Sequence, residues 1–153
     1  MSTINNIFVD SSVLIEYFKG SNSELLDYLS SSPDYNLLIN DIVITEVVYH
    51  MLAYNSTSSP VTLKRKGLLK AKIDVIDFEA LFMHFIHIGV EISHVSTITN
   101  LMSEFNLLSN DALIFNCCIE HRIPYLATFD SDFDLPCNQY EITSISSISQ
   151  LTK

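Results

Sequence analysis

Two apolar runs in this chain, each read as a buried strand, end on an aspartate: "NNIFVD" closes on Asp10 and "PYLATFD" on Asp130. A carboxylate is costly to bury without a partner. Each is therefore either a local cap or turn residue, or part of a site. What surrounds them narrows the fold. Residues 4–10 predict a strand, and 11–18 a short helix capped by Ser11 or Ser12. "SELLDYLSSSP" reads as a second helix, with Ser23 as N-cap and Pro33 beyond its end. "NLLIN" (36–40) is a second strand, and "DIVITEVVYHMLAYN" a helix by the spacing of Ile44, Val47, Val48, Met51 and Leu52. A polar loop (55–60) leads to a basic helix, and "FEALFMHFIHIG" continues helically to Gly89. "VEIS" (90–93) predicts a brief strand and 95–105 a helix, followed by a helix that opens on Ser109 as N-cap. The strand 124–130, a last strand at 140–145 and a fraying Ser-rich tail complete the pattern. Strands alternating with helices predict an α/β fold with a parallel central sheet and helices on both faces. In such sheets, sites form beyond the carboxyl ends of the strands. Asp10 and Asp130 end two of those strands.

With 153 residues the chain suits one domain, taken as 1–145, with 146–153 as the tail. It is 48% hydrophobic and 17% charged, which supports a substantial core and argues against disorder. Asp10, Glu46, His84, His87 and Glu91 interrupt the apolar runs before they reach the length of a membrane span. The N-terminus lacks the basic region of a signal peptide, and Cys117, Cys118 and Cys137 do not make a disulfide framework. These features predict a soluble cytoplasmic protein with core cysteines.

Glu46 and Asp111 each fall in the first turn of a predicted helix, where acidic residues have a local stabilising role. Asp10 has a comparable explanation as a cap, and Asp130 as a turn residue. A collective explanation competes with these. The apolar "ALIF" after Asp111 implies a largely buried helix and a poorly solvated carboxyl. If the four converged, like charges about 4 Å apart would cost about 4 kcal/mol per pair at an effective dielectric of about 20. Such a cluster is tolerable only with protons or cations. Oxygen-only ligands select hard ions, Mg²⁺ or Mn²⁺, and two such ions can support phosphodiester hydrolysis.

In order and spacing, "FVDSSVLIEYF", "ITEVV", "LLSNDALIFNCC" and "LATFDSDF" resemble the four acidic motifs of PIN-domain ribonucleases. The likeness is greatest to the VapC-type toxins of prokaryotic toxin–antitoxin pairs, and it spans about residues 7–134. The resemblance implies a Rossmann-like three-layer α/β/α sandwich and Mg²⁺- or Mn²⁺-dependent cleavage of RNA. It implies metal and catalytic roles for Asp10, Glu46, Asp111 and Asp130, supporting roles for Ser12 and Thr128, and an additional ligand in Asp132. It also implies a homodimer and a cognate antitoxin whose C-terminal segment covers the acidic groove with a basic residue. Leu14, Phe18, Leu25 and Leu29 supply either that groove or the core.

Other functions fit less well. A haloacid-dehalogenase-type phosphotransferase needs a second Asp where Ser12 stands, and a receiver domain needs an early acidic pair and a late Lys. A non-catalytic PIN-like interaction module predicts degraded carboxylates, whereas all four are present; a PIN nuclease of RNA processing is the alternative to a toxin. His84 and His87, spaced i, i+3, are read as core or interface residues, since no third zinc ligand is evident. A net charge of −10 disfavours a nucleic-acid partner. Against that, "KRKGLLKAK" gathers Lys64, Arg65, Lys66, Lys70 and Lys72, five of the eight basic residues. This segment is either a solvated face or the RNA-binding arm, with Lys66 and Lys70 on one face of a helix.

Overall fold

A computed structural model of the chain describes residues 4–92 and 94–151. Five strands form one wholly parallel sheet in the order β3-β2-β1-β4-β5. They are β1 (Asn5–Val9), β2 (Tyr35–Ile39), β3 (Ile86–His87), β4 (Tyr125–Ala127) and β5 (Thr143–Ile145). One row across the sheet is Ile86, Leu38, Phe8, Leu126 and Ser144. Two residues beyond that row, at the carboxyl edge, stand Asn40, Asp10 and Thr128. The predicted α/β architecture is the observed one.

The central strands are apolar on both faces, as strands covered on both sides must be. Ile7, Phe8, Val9, Leu126 and Ala127 are fully buried. The flanking helices are α1 (Ser11–Lys19), α2 (Glu24–Ser31), α3 (Asp41–Ser56), α4 (Pro60–Arg65) and α5 (Leu69–Ile73), followed by α6 (Phe78–Phe82), α7 (Val95–Phe105), α8 (Ser109–Glu120) and α9 (Asp134–Gln139). α3 packs against α1 and α8, and α7 packs against α8. Leu14, Leu25 and Leu29 lie in the core, whereas Phe18 is partly buried and lines a surface recess with Leu26 and Leu81. Cys117, Cys118 and Cys137 are free thiols in the core. No helix among the described residues is long and apolar enough to cross a membrane.

Several local expectations are corrected. α1 is capped by Asp10, whose side chain accepts from Ser12 N, and not by a serine. Leu108, not Ser109, is the N-cap of α8, and no side chain caps it. The α3 helix runs through Ser56 into the predicted loop, and its own N-cap Asn40 accepts from Val43 N. The basic segment is two short helices, because Gly67 takes a left-handed φ of +66° and ends α4 at Arg65. Lys66 is the C-cap of α4 and Lys70 belongs to α5, so the two do not share a helical face.

The helix predicted through Gly89 stops at Phe82, and Ile86–His87 pairs with β2 as the sheet's edge. Ile88 N donates to Ile39 O at 2.9 Å, extending the pairing by one bond. Residues 90–92 are not strand, and Ser93 lies outside the described residues. His84 and His87 are exposed, and His87 pairs with Asp41 across 2.9 Å. Residues 134–139 form a helix despite Pro136. The proline falls in the first turn, where its missing N–H leaves no bond unmade. The tail holds a 3₁₀ turn at Ile148–Gln150 with a reciprocal Ser147–Gln150 cap.

Candidate active site

The chain leaves β1 at Asp10 and turns at once into α1, which places the carboxylate at the sheet's carboxyl edge. Asp10 is 3% exposed. Its Oδ2 accepts from Ser12 Oγ at 2.5 Å, Thr128 Oγ1 at 2.9 Å and Ser12 N at 3.3 Å. Burial raises its pKa, and these hydrogen bonds to the ionised form oppose that rise. Ser12 and Thr128 do more than hold one side chain. Phe129 N donates to Ser12 Oγ at 3.0 Å, and Asp130 N donates to Thr128 Oγ1 at 3.0 Å. The ends of β1 and β4, neighbours in the sheet, are thereby fastened by hydroxyls. Asp10 N also donates to Ala127 O at 2.9 Å.

Asp130 follows β4 and opens a 3₁₀ turn at Ser131–Phe133, with Oδ1 accepting from Asp132 N at 2.9 Å. Asp132 is exposed, and its contribution here is that backbone N–H. Glu46 reaches the same edge from the second turn of α3. Its Oε2 accepts from Ser11 Oγ at 2.7 Å and its Oε1 from Asn110 Nδ2 at 2.7 Å. One carboxylate thus bridges the starts of α1 and α8.

Asp111 stands in the first turn of α8, next to Asn110. Its pKa is pushed up to about 6, first by burial and then by the charges of Asp10, Asp130 and Glu46. Asp132 is not among the groups that raise it. The four carboxylates singled out from the sequence therefore share one field, fixed by four different elements. They do not make a closed cage: among the described residues no three His, Cys, Asp or Glu side chains are grouped tightly enough to hold an ion by themselves. The donors are nonetheless all hard oxygens, carboxylate and hydroxyl. Such a set suits Mg²⁺ or Mn²⁺, which keep several waters and take only one or two carboxylates directly.

The basic residues are carried by other elements, Lys64, Arg65 and Lys66 at the end of α4 and Lys70 and Lys72 on α5. α4 and α5 pack against α3. Lys64, Arg65, Lys66 and Lys70 are exposed and Lys72 is half-buried. Lys70 pairs with Asp74 at 2.7 Å, an exposed i, i+4 contact of little energetic weight. A polar recess of about 110 Å³ adjoins Asp130, lined among others by Ser131, Asp134, Ser144 and Ser146. A larger cavity of about 480 Å³, between α2, β2 and the segment carrying His84 and Ile86, contains none of the four carboxylates. Size therefore does not mark the site; the carboxylates do.

The PIN domain profile matches residues 7–137, most of the chain, a span that includes the carboxylates described above. The chain belongs to the PIN-domain family. "Ribonuclease VapC6" of Methanocaldococcus jannaschii is 30% identical over 144 residues, spanning 85% of this chain and 92% of that protein. Among solved structures, VapBC-1 of nontypeable Haemophilus influenzae superposes with a TM-score of 0.59 at 12% identity, covering 92% of this chain and 96% of that one. A toxin–antitoxin complex from Klebsiella pneumoniae gives a TM-score of 0.51 at 22% identity, covering 83% and 89%. At such identities the superpositions speak to the fold.

Within this PIN domain, sequence reading missed Ser11 and Asn110, the two residues that orient Glu46. Each directly adjoins a singled-out acid, Ser11 following Asp10 and Asn110 preceding Asp111. That adjacency was the available signal. The contact to Glu46 was not, because 35 residues separate Ser11 from it and 64 separate Asn110.

Proposed function

We propose that this chain is an Mg²⁺- or Mn²⁺-dependent endoribonuclease that hydrolyses RNA phosphodiester bonds, and that it is the toxin of a toxin–antitoxin pair. The observation carrying this reading is the gathering of Asp10, Glu46, Asp111 and Asp130 at one sheet edge, with Asp10 held by Ser12 and Thr128, Glu46 held by Ser11 and Asn110, and the pKa of the half-buried Asp111 raised by burial and by the other three. That concentration of negative charge lies at the edge of a parallel sheet where sites form. Asp10, Glu46, Asp111 and Asp130 would hold the ion or ions, with Asp132 near enough in sequence to join Asp130. A bound divalent ion supplies an activated water and stabilisation of the leaving oxygen.

The chain's own residues prepare that chemistry. Ser12 and Thr128 aim the Asp10 carboxyl and favour its ionised form, opposing burial, which raises its pKa. Ser11 and Asn110 fix both oxygens of Glu46. A bound cation would favour the ionised form of Asp111, which burial and its neighbours disfavour. Lys64, Arg65, Lys66, Lys70 and Lys72 supply phosphate contacts that the acidic edge cannot. A homodimer and an antitoxin protein complete the reading. The ribonuclease name of the archaeal relative and the complex from Klebsiella support it. A basic antitoxin side chain placed among the carboxylates would substitute for the cation's charge.

Thermal melts with and without Mn²⁺ test the site. Wild type should gain stability with metal, by about 1.4 kcal/mol when the ion is at roughly ten times its dissociation constant. Asp10→Asn and Asp111→Asn should lose most of that gain while remaining folded. Equal metal-induced shifts in wild type and both variants would remove these carboxylates from the metal site.

A further inference from the structure

Helix α3 carries Glu46 at the carboxylate edge and then runs outward for more than two turns to Ser56. Val43, Val47, Met51 and Leu52 turn into the core. Tyr49 and His50 follow Glu46 at i+3 and i+4, so they lie on its side of the helix, a rise of about 4.5–6 Å further along. Both are exposed, Tyr49 by 47%. Their rings meet edge to face, with centroids 5.9 Å apart and planes at 77°. Among the described residues, no hydrogen bond or ion pair ties either ring to the rest of the protein. The half-exposed Ala53, one turn further, keeps the approach to them open. α4 and α5, which hold the chain's concentrated cations, pack against α3.

Acid and aromatic pair thus follow one another along α3, and the chain's concentrated cations sit on the two helices that pack against it. Cations hold phosphates, while an exposed ring offers a face to a base. Only an unpaired base has a free face to offer in return, because in a duplex both faces are stacked. We propose that Tyr49 and His50 form a stacking platform for an unpaired nucleobase next to the cleaved phosphate. Tyr49 supplies the flat surface and His50 buttresses it edge-on. This proposal rests on the ribonuclease reading above and names the residues that hold one base of its substrate. Stacking tolerates any base, so it contributes affinity with little sequence preference.

The test measures kcat/KM with Mn²⁺ on a single-stranded oligoribonucleotide containing one cleavage site. The same oligomer carrying an abasic residue on either side of that site is measured in parallel. Tyr49→Ala should lower kcat/KM roughly 5- to 100-fold on the intact strand. Tyr49→Phe, which keeps the ring, should stay close to wild type. On one of the two abasic strands, Tyr49→Ala and wild type should converge, because the base that stacks is gone. Cleavage by wild type with an unchanged kcat/KM in Tyr49→Ala would overturn the platform, leave the ribonuclease reading standing, and make the rings a protein-docking face. An equal Tyr49→Ala penalty on intact and both abasic strands would also overturn it. Failure of wild type to cleave any of these strands with metal would overturn the underlying reading as well.

Discussion

At the scale of single residues, the site is a balance between the cost of crowded charge and the hydrogen bonds that hold it. Asp10 illustrates the first half of that balance. It is almost wholly buried, yet three hydrogen bonds to one oxygen favour its ionised form. Asp111 lacks comparable support and is pushed up to about 6. An acid whose pKa rises on folding stabilises the native state most below its unfolded value of about 4, and that contribution is lost as pH climbs through about 6. Between about pH 4 and pH 7, ionising Asp111 therefore weakens the metal-free protein. Because the group is half-buried and screened, the effect is at most about 1–2 kcal/mol. Urea unfolding of wild type and Asp111→Asn across this range should show the variant gaining relative stability as pH rises. A constant difference between the two would mean that Asp111 titrates as an ordinary surface acid.

At the scale of elements, legibility in the sequence followed how local the cause was. The strands β1, β2 and β4 and the helices α3, α7 and α8 were readable because buried apolar runs and helical spacing are properties of neighbouring residues. The two-residue strand β3 was not. Its pairing depends on β2, some 48 residues earlier in the row where Leu38 meets Ile86, and no local period announces it. Pro136 concealed α9 in the opposite way, since a proline that ends a helix elsewhere is harmless in a first turn. Asp10 and Asp130 stood out at strand ends and Asp111 at a helix start, whereas Glu46, expected in a first turn, lies in the second turn of α3, because the helix begins earlier, at Asp41. Their orienting partners Ser11 and Asn110 were not, because the contacts close over long loops.

The basic segment is the element with the largest correction. Gly67 divides it, so Lys64 and Arg65 end α4, Lys66 caps it, and Lys70 and Lys72 belong to α5, and the five do not line one helical face. A divided cluster can still gather phosphates. Neutralising three phosphates of single-stranded RNA would give a salt slope of about −2, at about −0.7 per phosphate. Replacing Lys64, Arg65 and Lys66 together by Ala should weaken RNA binding and flatten that slope by a comparable amount, with metal affinity unchanged. An unaltered affinity and slope would make the segment only a solvated face.

At the scale of the whole molecule, a chain of net charge −10 is expected to act on a polyanion. The proposed reading reconciles the two by assigning them to different elements. The carboxylates stand at the sheet edge, where cations can offset them, and the basic residues sit on α4 and α5, which pack against α3. On that reading affinity and chemistry come from different places, and only the chemistry requires metal. The most direct measurement is the rate of cleavage of single-stranded RNA as Mg²⁺ or Mn²⁺ is titrated against wild type and Asp111→Asn, with the fold of both checked by melting. The site described here predicts saturable, metal-dependent cleavage by wild type that chelation abolishes, and near-complete loss in the folded Asp111→Asn variant. Cleavage that survives chelation, or that Asp111→Asn supports as well as wild type, would contradict it.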